Sequence, residues 1–196
     1  ANSVPLDVIS EVETFDARVG LQLRTCLIFG LRVQEAIELK PHRVDKGHYM
    51  IVTDGTKGGR ARAVPIDTDE KRELLEQCKK MVGHGKNAFM GAPEHSLLQN
   101  KNRFYYLMKK FGITKEMLGV TAHGLRHEYV NGRYEDLAGG KSPVEGGTVA
   151  RDNPELDHSA RTIIAEEVGH TRPNIVSCYT GSCRTVAKMK KTENKE

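Results

Sequence analysis

Long hydrophobic runs are missing from this sequence. No stretch approaches the ~20 apolar residues that a membrane-spanning helix requires, and the longest apolar-leaning run, Cys26-Leu27-Ile28-Phe29, is short. A basic leader is missing too. Ala1 to Asp16 carries four acids and no base, so no secretory signal is expected there. Cysteine is sparse: Cys26, Cys78, Cys178 and Cys183 form no C-x-x-C pair. In a chain of this size they read as scattered free thiols in a reducing compartment. Together with the composition, these absences exclude a membrane span, a secreted disulfide scaffold, a collagen and a coiled coil.

What is present fits a soluble globular chain. Its 196 residues are 38% hydrophobic and 29% charged, and that length buries a real core without disulfides or metals. One domain is expected, with room for an insertion. The net charge of +4 is unevenly placed. Lys40 to Arg62 has six bases against two acids, and Arg184 to Glu196 five against two. Basic segments around a more neutral body suit a polyanionic partner. On charge alone, a solvated face and a disordered tail are the better explanation.

Periodicity predicts a helix over about 12–29, stopped by Gly30, and a short one over 33–39, ended by Pro41. His48 to Thr53 and Arg60 to Ile66 read as two strands of a hairpin around Asp54-Gly55 and the Lys57-Gly58-Gly59 tip. Further helices are expected from Asp67 or Thr68 to about Val82, over 96–111, from Thr121 or His123 to about Leu137, and over 154–168. A short one should begin at Pro173. The glycine-rich stretch 138–153 reads as a mobile loop. The class is α+β, mainly α, with one small antiparallel sheet.

Several common motifs fail. Gly55 to Gly59 lacks the phosphate-loop frame, and His127-Glu128-Tyr129-Val130-Asn131 misses the second histidine of a zinc helix. There is no Gly-x-Ser-x-Gly elbow. No metal site and no cofactor are expected. What remains is an ordered, dispersed set. Arg32 opens a helix with Glu35 three residues on. Lys57 sits at the hairpin tip. His123 and Arg126 share one helix face, Gly169-His170 ends a helix, and Tyr179 follows nine residues later.

Taken singly, each has an ordinary reading. Arg32 and Glu35 make a surface ion pair, His123 a helix cap, Lys57 a solvated turn residue. His170 is a helix-end histidine and Tyr179 a core or interface residue. His127 reads as a structural histidine packed beneath a site. Tyr105, Tyr106, Tyr129 and Tyr134 are alternative tyrosines, with Tyr105 and Tyr106 on an amphipathic core helix.

As an ordered set, Gly30 to Leu39, Lys57, the H-x-L-R-H box at His123 to His127, and Gly169-His170 with Tyr179 resemble the catalytic domain of the tyrosine recombinases, the phage and mobile-element integrases. The resemblance covers about Val12 to Gly181. It implies a helical fold with a small antiparallel sheet, and DNA strand cleavage and rejoining through a 3′-phosphotyrosyl intermediate, supporting integration or excision of a mobile element. A type IB topoisomerase, a telomere resolvase or a non-catalytic DNA-binding relative are the alternatives. The catalytic residues implied are Arg32, Lys57, His123, Arg126, His170 and Tyr179. Glu35 would support the first arginine, and Arg60 and Arg62 would touch the DNA backbone.

The chemistry suits these residue types. Two guanidinium forks, Arg32 and Arg126, can hold the non-bridging oxygens of a phosphodiester as charge gathers on them. A tyrosine hydroxyl can conserve the bond energy as a phosphotyrosyl ester. His123 and His170 can hydrogen-bond phosphate oxygens, His123 can help move the nucleophile's proton, and Lys57 can protonate the leaving 5′ oxygen. With this much fixed cation, no metal is needed.

Implied partners are double-stranded DNA at recombination sites, a homotetramer on synapsed DNA or a monomer as an isolated domain, and accessory DNA-bending or directionality proteins. No membrane is expected, and the setting is cytoplasmic and nucleoid-associated. The chain departs from the family in two places. Arg126 and His170 are 44 positions apart, which implies an acidic insertion at about 137–157, read as a surface loop that contacts proteins, shields a site or does nothing. The N-terminal clamp domain of the family is expected to be absent from this chain. The catalytic domain is placed at 1–183 and a basic tail at 184–196.

Overall fold

The computed structural model describes residues 6–85, 88–117, 121–170 and 173–182, with the side chains of 122 and 123 outside that set. Cys183 and the basic tail therefore lie outside the described residues. The chain divides into two compact units, Asn2–Arg126 and His127–Glu196.

The first unit opens with α1 (Leu6–Phe15) and α2 (Ala17–Ile28). The single helix expected over 12–29 is two helices. Asp16 leaves helical geometry and caps α2, accepting from the Val19 N–H at 3.0 Å. A short acidic side chain competes well for such orphan N–H groups, which is why the chain breaks there. α3 (Val33–Glu38) follows, then α4 (Pro41–Val44). Pro41 was expected only as a stop. It also starts a new turn, since its missing N–H is no loss at a first helical position.

The hairpin forms as expected. β1 (Tyr49–Val52) pairs antiparallel with β2 (Arg62–Pro65), Met50 opposite Val64. Its turn is pinned to α3 at Gly55, where φ is +73° and an added Cβ would stand 2.9 Å from the Gln34 carbonyl oxygen. Only glycine suits both that backbone and that approach. The pin carries the Lys57 turn on a hairpin anchored beside the helix that Arg32 begins.

α5 (Asp69–Val82) is capped by Thr68, and α6 (Leu97–Lys110) by Ser96 in a reciprocal box with Gln99. The core of this unit includes Leu23, Cys26, Phe29, Ile37, Leu75, Phe104 and Leu107, all nearly or fully buried. Tyr105 and Tyr106 do not join it. They are 51% and 56% exposed, because the buried stripe of α6 runs through Asn100, Phe104, Leu107 and Met108 instead.

The boundary between units falls within α7 (Ala122–Ala138). The second unit continues with α8 (Val149–Asp152), α9 (Pro154–Glu167), a 3₁₀ turn at Pro173–Val176 and α10 (Ser177–Thr180). Its core includes Val130, Tyr134, Ala160, Ile164, Val168, Val176 and Tyr179. The stretch expected as a mobile loop carries regular structure: a 3₁₀ turn at Pro143–Glu145 and α8. Ser142 is fully buried and donates to Asn131 of α7 at 2.7 Å. Among the described residues, no helix is long and apolar enough to cross a membrane.

Candidate active site

In the first unit, one buried carboxylate gathers three arginines. Glu35, on the first turn of α3, is fully buried. Its carboxylate accepts the Arg32 backbone N–H at 2.8 Å and the Arg32 guanidinium at 2.9 Å. This is the i,i+3 reach that the sequence spacing predicts. The same carboxylate binds Arg62 from β2 at 2.6 Å and stands 4.0 Å from Arg126 of α7. Burial pushes the Glu35 pKa up, but the charge and hydrogen bond of Arg62, with the Arg32 N–H and charge, outweigh it and hold the carboxyl below its ordinary value.

The exposures of the three arginines differ in a useful way. The Arg62 side chain is 1% exposed and that of Arg126 3%, against 28% for Arg32. Arg62 was expected to reach a DNA backbone. It does not face solvent, because an isolated Glu35 carboxylate would be costly to bury and Arg62 is the cation that neutralises it. Arg60, two residues earlier, is exposed, as is Lys57 at the hairpin tip.

Arg32 and Arg126 line one cleft of ~460 Å³ together with Leu31, Val33, Gln34, Lys101 and Tyr105. Two guanidinium groups and an ammonium face this space, which suits an anion. Lys101, which no motif marks in the sequence, donates to Gln34 at 2.8 Å. Its signal was a lysine one turn before Tyr105 on the same helix. Beneath the cluster lies Cys26, whose thiol is driven well above its ordinary range by burial and by the Glu35 charge, against a lowering from Arg126.

In the second unit, Tyr179 sits on α10 and is 4% exposed. Its hydroxyl is 3.3 Å from His170 Nε2, and the ring meets His127 edge-on at a centroid distance of 4.7 Å. His170 and Tyr179 are therefore brought together, and His127 packs on the tyrosine ring. Two of the alternative tyrosines are engaged elsewhere: Tyr129 donates to Glu167 at 3.0 Å and Tyr134 to Asp157 at 2.6 Å. Burial and the adjoining Asp157 push the Tyr134 phenol far above its ordinary pKa, so it stays protonated. His123 lies in α7, and its side chain is outside the described residues. Among the described residues, no group of three or more metal-ligating side chains is assembled.

The family model described as Integrase matches residues 3–132. The tyrosine recombinase XerA of Thermococcus kodakarensis is 32% identical over 119 residues, covering 55% of this chain and 38% of that protein. The matched segment spans well under half of that relative's length. Among solved structures, the XerA recombinase superposes with a TM-score of 0.58 at 20% identity, over 97% of this chain and 62% of that one. A lambda integrase (75–356) dimer bound to a COC′ core site gives 0.59 at 21%, over 89% and 56%. At such identities the likeness is one of fold.

Proposed function

Because the chain belongs to the integrase family, the tyrosine recombinases, we propose that it breaks and rejoins DNA strands, with Tyr179 as the nucleophile. The observation that carries this reading is the Tyr179 hydroxyl, buried on α10 and held 3.3 Å from His170 Nε2. A phenol placed against an imidazole is prepared to exchange its proton, and its oxygen is the atom that must reach phosphorus.

In the proposed step, a bond forms between the Tyr179 oxygen and a backbone phosphorus, and the bond from that phosphorus to the 5′ oxygen breaks. The product is a 3′-phosphotyrosyl ester and a free 5′ hydroxyl. Arg32 and Arg126 bind the non-bridging oxygens, and their fixed charge is worth most where negative charge builds up. Glu35 acts through them, setting the Arg32 fork by its two contacts. Lys57 gives the proton to the 5′ oxygen, and His123 assists in taking the proton from the phenol. Rejoining to another strand is the reverse attack. Arg60 contacts the phosphate backbone outside the cleft.

The partner is double-stranded DNA carrying recombination sites, and the working assembly is a homotetramer on two synapsed sites, assisted by accessory DNA-bending or directionality proteins. The setting is a mobile element in a bacterial cytoplasm, at the nucleoid. Product analysis tests the class of reaction. Supercoiled circles bearing two candidate sites are incubated with the protein in EDTA and resolved on gels. Recombinant joints support this reading. Relaxed circles alone would move it to a topoisomerase, hairpin ends to a telomere resolvase, and binding without any product to a non-catalytic DNA-binding relative.

A further inference from the structure

The segment that carries Tyr179 is too short to hold itself. α10 is a four-residue helix entered through a 3₁₀ turn, and an isolated turn of helix is not stable in water. Something outside it must fix the tyrosine. We propose that Arg161 is a positioning residue for Tyr179, its guanidinium tying together Ser177, Thr180 and Gly181 on both sides of the tyrosine.

The geometry is specific. Arg161 lies on α9 and is 7% exposed. One terminal nitrogen donates to Ser177 Oγ at 3.0 Å and to Thr180 Oγ1 at 2.6 Å, and the other to the Gly181 carbonyl at 3.1 Å. Its Nε donates to both carboxylate oxygens of Asp157, one turn back on α9, at 2.9 Å each. Asp157 also accepts from the Tyr134 hydroxyl, and the Arg161 guanidinium lies 5.7 Å from the Tyr134 ring centroid. The fork is thus fixed from behind before it reaches the tyrosine segment. Thr180 passes the constraint on by donating to the Val176 carbonyl at 3.2 Å.

The insertion contributes to the same brace. Gly181 has φ +72°, and a Cβ there would stand 3.2 Å from the Val144 side chain of the 3₁₀ turn at Pro143–Glu145. Asp157 itself closes the insertion. A segment read from sequence as a surface loop is therefore packed against the residue that ends α10. Only a guanidinium can make this pattern. A lysine is a point charge and cannot satisfy Asp157 and three acceptors in one plane.

The inference rests on Tyr179 being the nucleophile, so its test has two separate readouts on the full chain. The first is the single-turnover rate of covalent adduct formation on saturating nicked-site DNA, beside the DNA dissociation constant. The second is amide hydrogen exchange of peptides covering 173–182, with the α6 peptides as a folding control. Arg161→Met should lower the adduct rate about 10- to 100-fold, the scale of a misplaced reacting group. DNA affinity should stay within about twofold, and exchange should speed up at 177–181 while α6 is unchanged. Arg161→Lys should recover part of the rate. Thr180→Val should cause a smaller loss that adds little to Arg161→Met, and this coupling is what a general loss of stability would not produce.

An adduct rate within twofold of wild type in both Arg161→Met and Thr180→Val would overturn the positioning role. The same holds if Arg161→Met unfolds and Thr180→Val alone leaves rate and exchange unchanged. If the wild-type protein forms its adduct on a different tyrosine while exchange at 177–181 still responds to Arg161→Met, the nucleophile assignment falls and the structural clamp stands.

Discussion

The Glu35 carboxylate lies 2.6 Å from the Arg62 guanidinium, and both side chains are almost wholly excluded from solvent. The pair sits where Arg32 and Arg126 also converge, so one anion sets the positions of three cations. Glu35→Gln would leave the guanidinium groups close together without their counter-charge. The expected cost is about 3–5 kcal/mol of stability at neutral pH, measured by urea unfolding. The pH dependence has a definite sign. A carboxyl whose folded pKa is lowered stabilises fully above its unfolded value of 4.5 and loses that contribution as pH falls through the folded pKa. The gap between wild type and Glu35→Gln should therefore be full at pH 7 and shrink below about pH 4.5.

Arg32→Lys and Arg126→Lys keep the charge and remove the planar fork. Each should lower the strand-cleavage rate by about 10²–10³, the usual cost of losing a preorganised donor to a developing oxyanion. DNA affinity should change much less. Arg126→Lys should also destabilise the fold more than Arg32→Lys, since its side chain is 3% exposed against 28%. Quench-flow cleavage on nicked sites, with filter binding alongside, separates the two effects.

Arg60 and Arg62 should part company. Arg60 is exposed, and Arg60→Ala should reduce the slope of log K against log salt by about 0.9 with no loss of stability. Arg62 is committed to Glu35. Arg62→Ala should lower the unfolding midpoint strongly.

The cysteines should also differ. Cys178 is exposed, whereas Cys26 and Cys78 are buried. Burial, with the Glu13 charge, lifts the Cys78 thiol to about 12. A maleimide should label Cys178 in the native protein and reach Cys26 and Cys78 only after unfolding, as mapped by peptide mass spectrometry.

The hairpin, the start of α5 at Thr68 and the Arg32–Glu35 spacing were legible in the sequence, because each rests on turn, cap or spacing signals in one short stretch of chain. His170 and Tyr179 stand nine positions apart, and their order was legible through the family resemblance instead of a local signal. Three features were not. Asp16 sits in an otherwise continuous helical pattern, and its cap geometry is invisible until the chain bends. Arg62 looks like any basic strand residue, and its burial depends on Glu35, 27 positions away. Arg161 and Asp157 read as an ordinary i,i+4 pair on α9, and their reach to Ser177, Thr180 and Gly181 exists only after the second unit has packed. The aromatic pair Tyr105-Tyr106 misled in the opposite direction, since a 3.6-residue period tolerates more than one buried stripe.

If Tyr179 attacks DNA, the covalent adduct forms on that residue. The measurement that tests it most directly is trapping on nicked half-site DNA in EDTA, followed by digestion and mass spectrometry of the DNA-linked peptide, with Tyr179→Phe alongside. One adduct is expected, on Tyr179, and none in the variant. An adduct that persists in Tyr179→Phe, or that maps to another tyrosine, would contradict it.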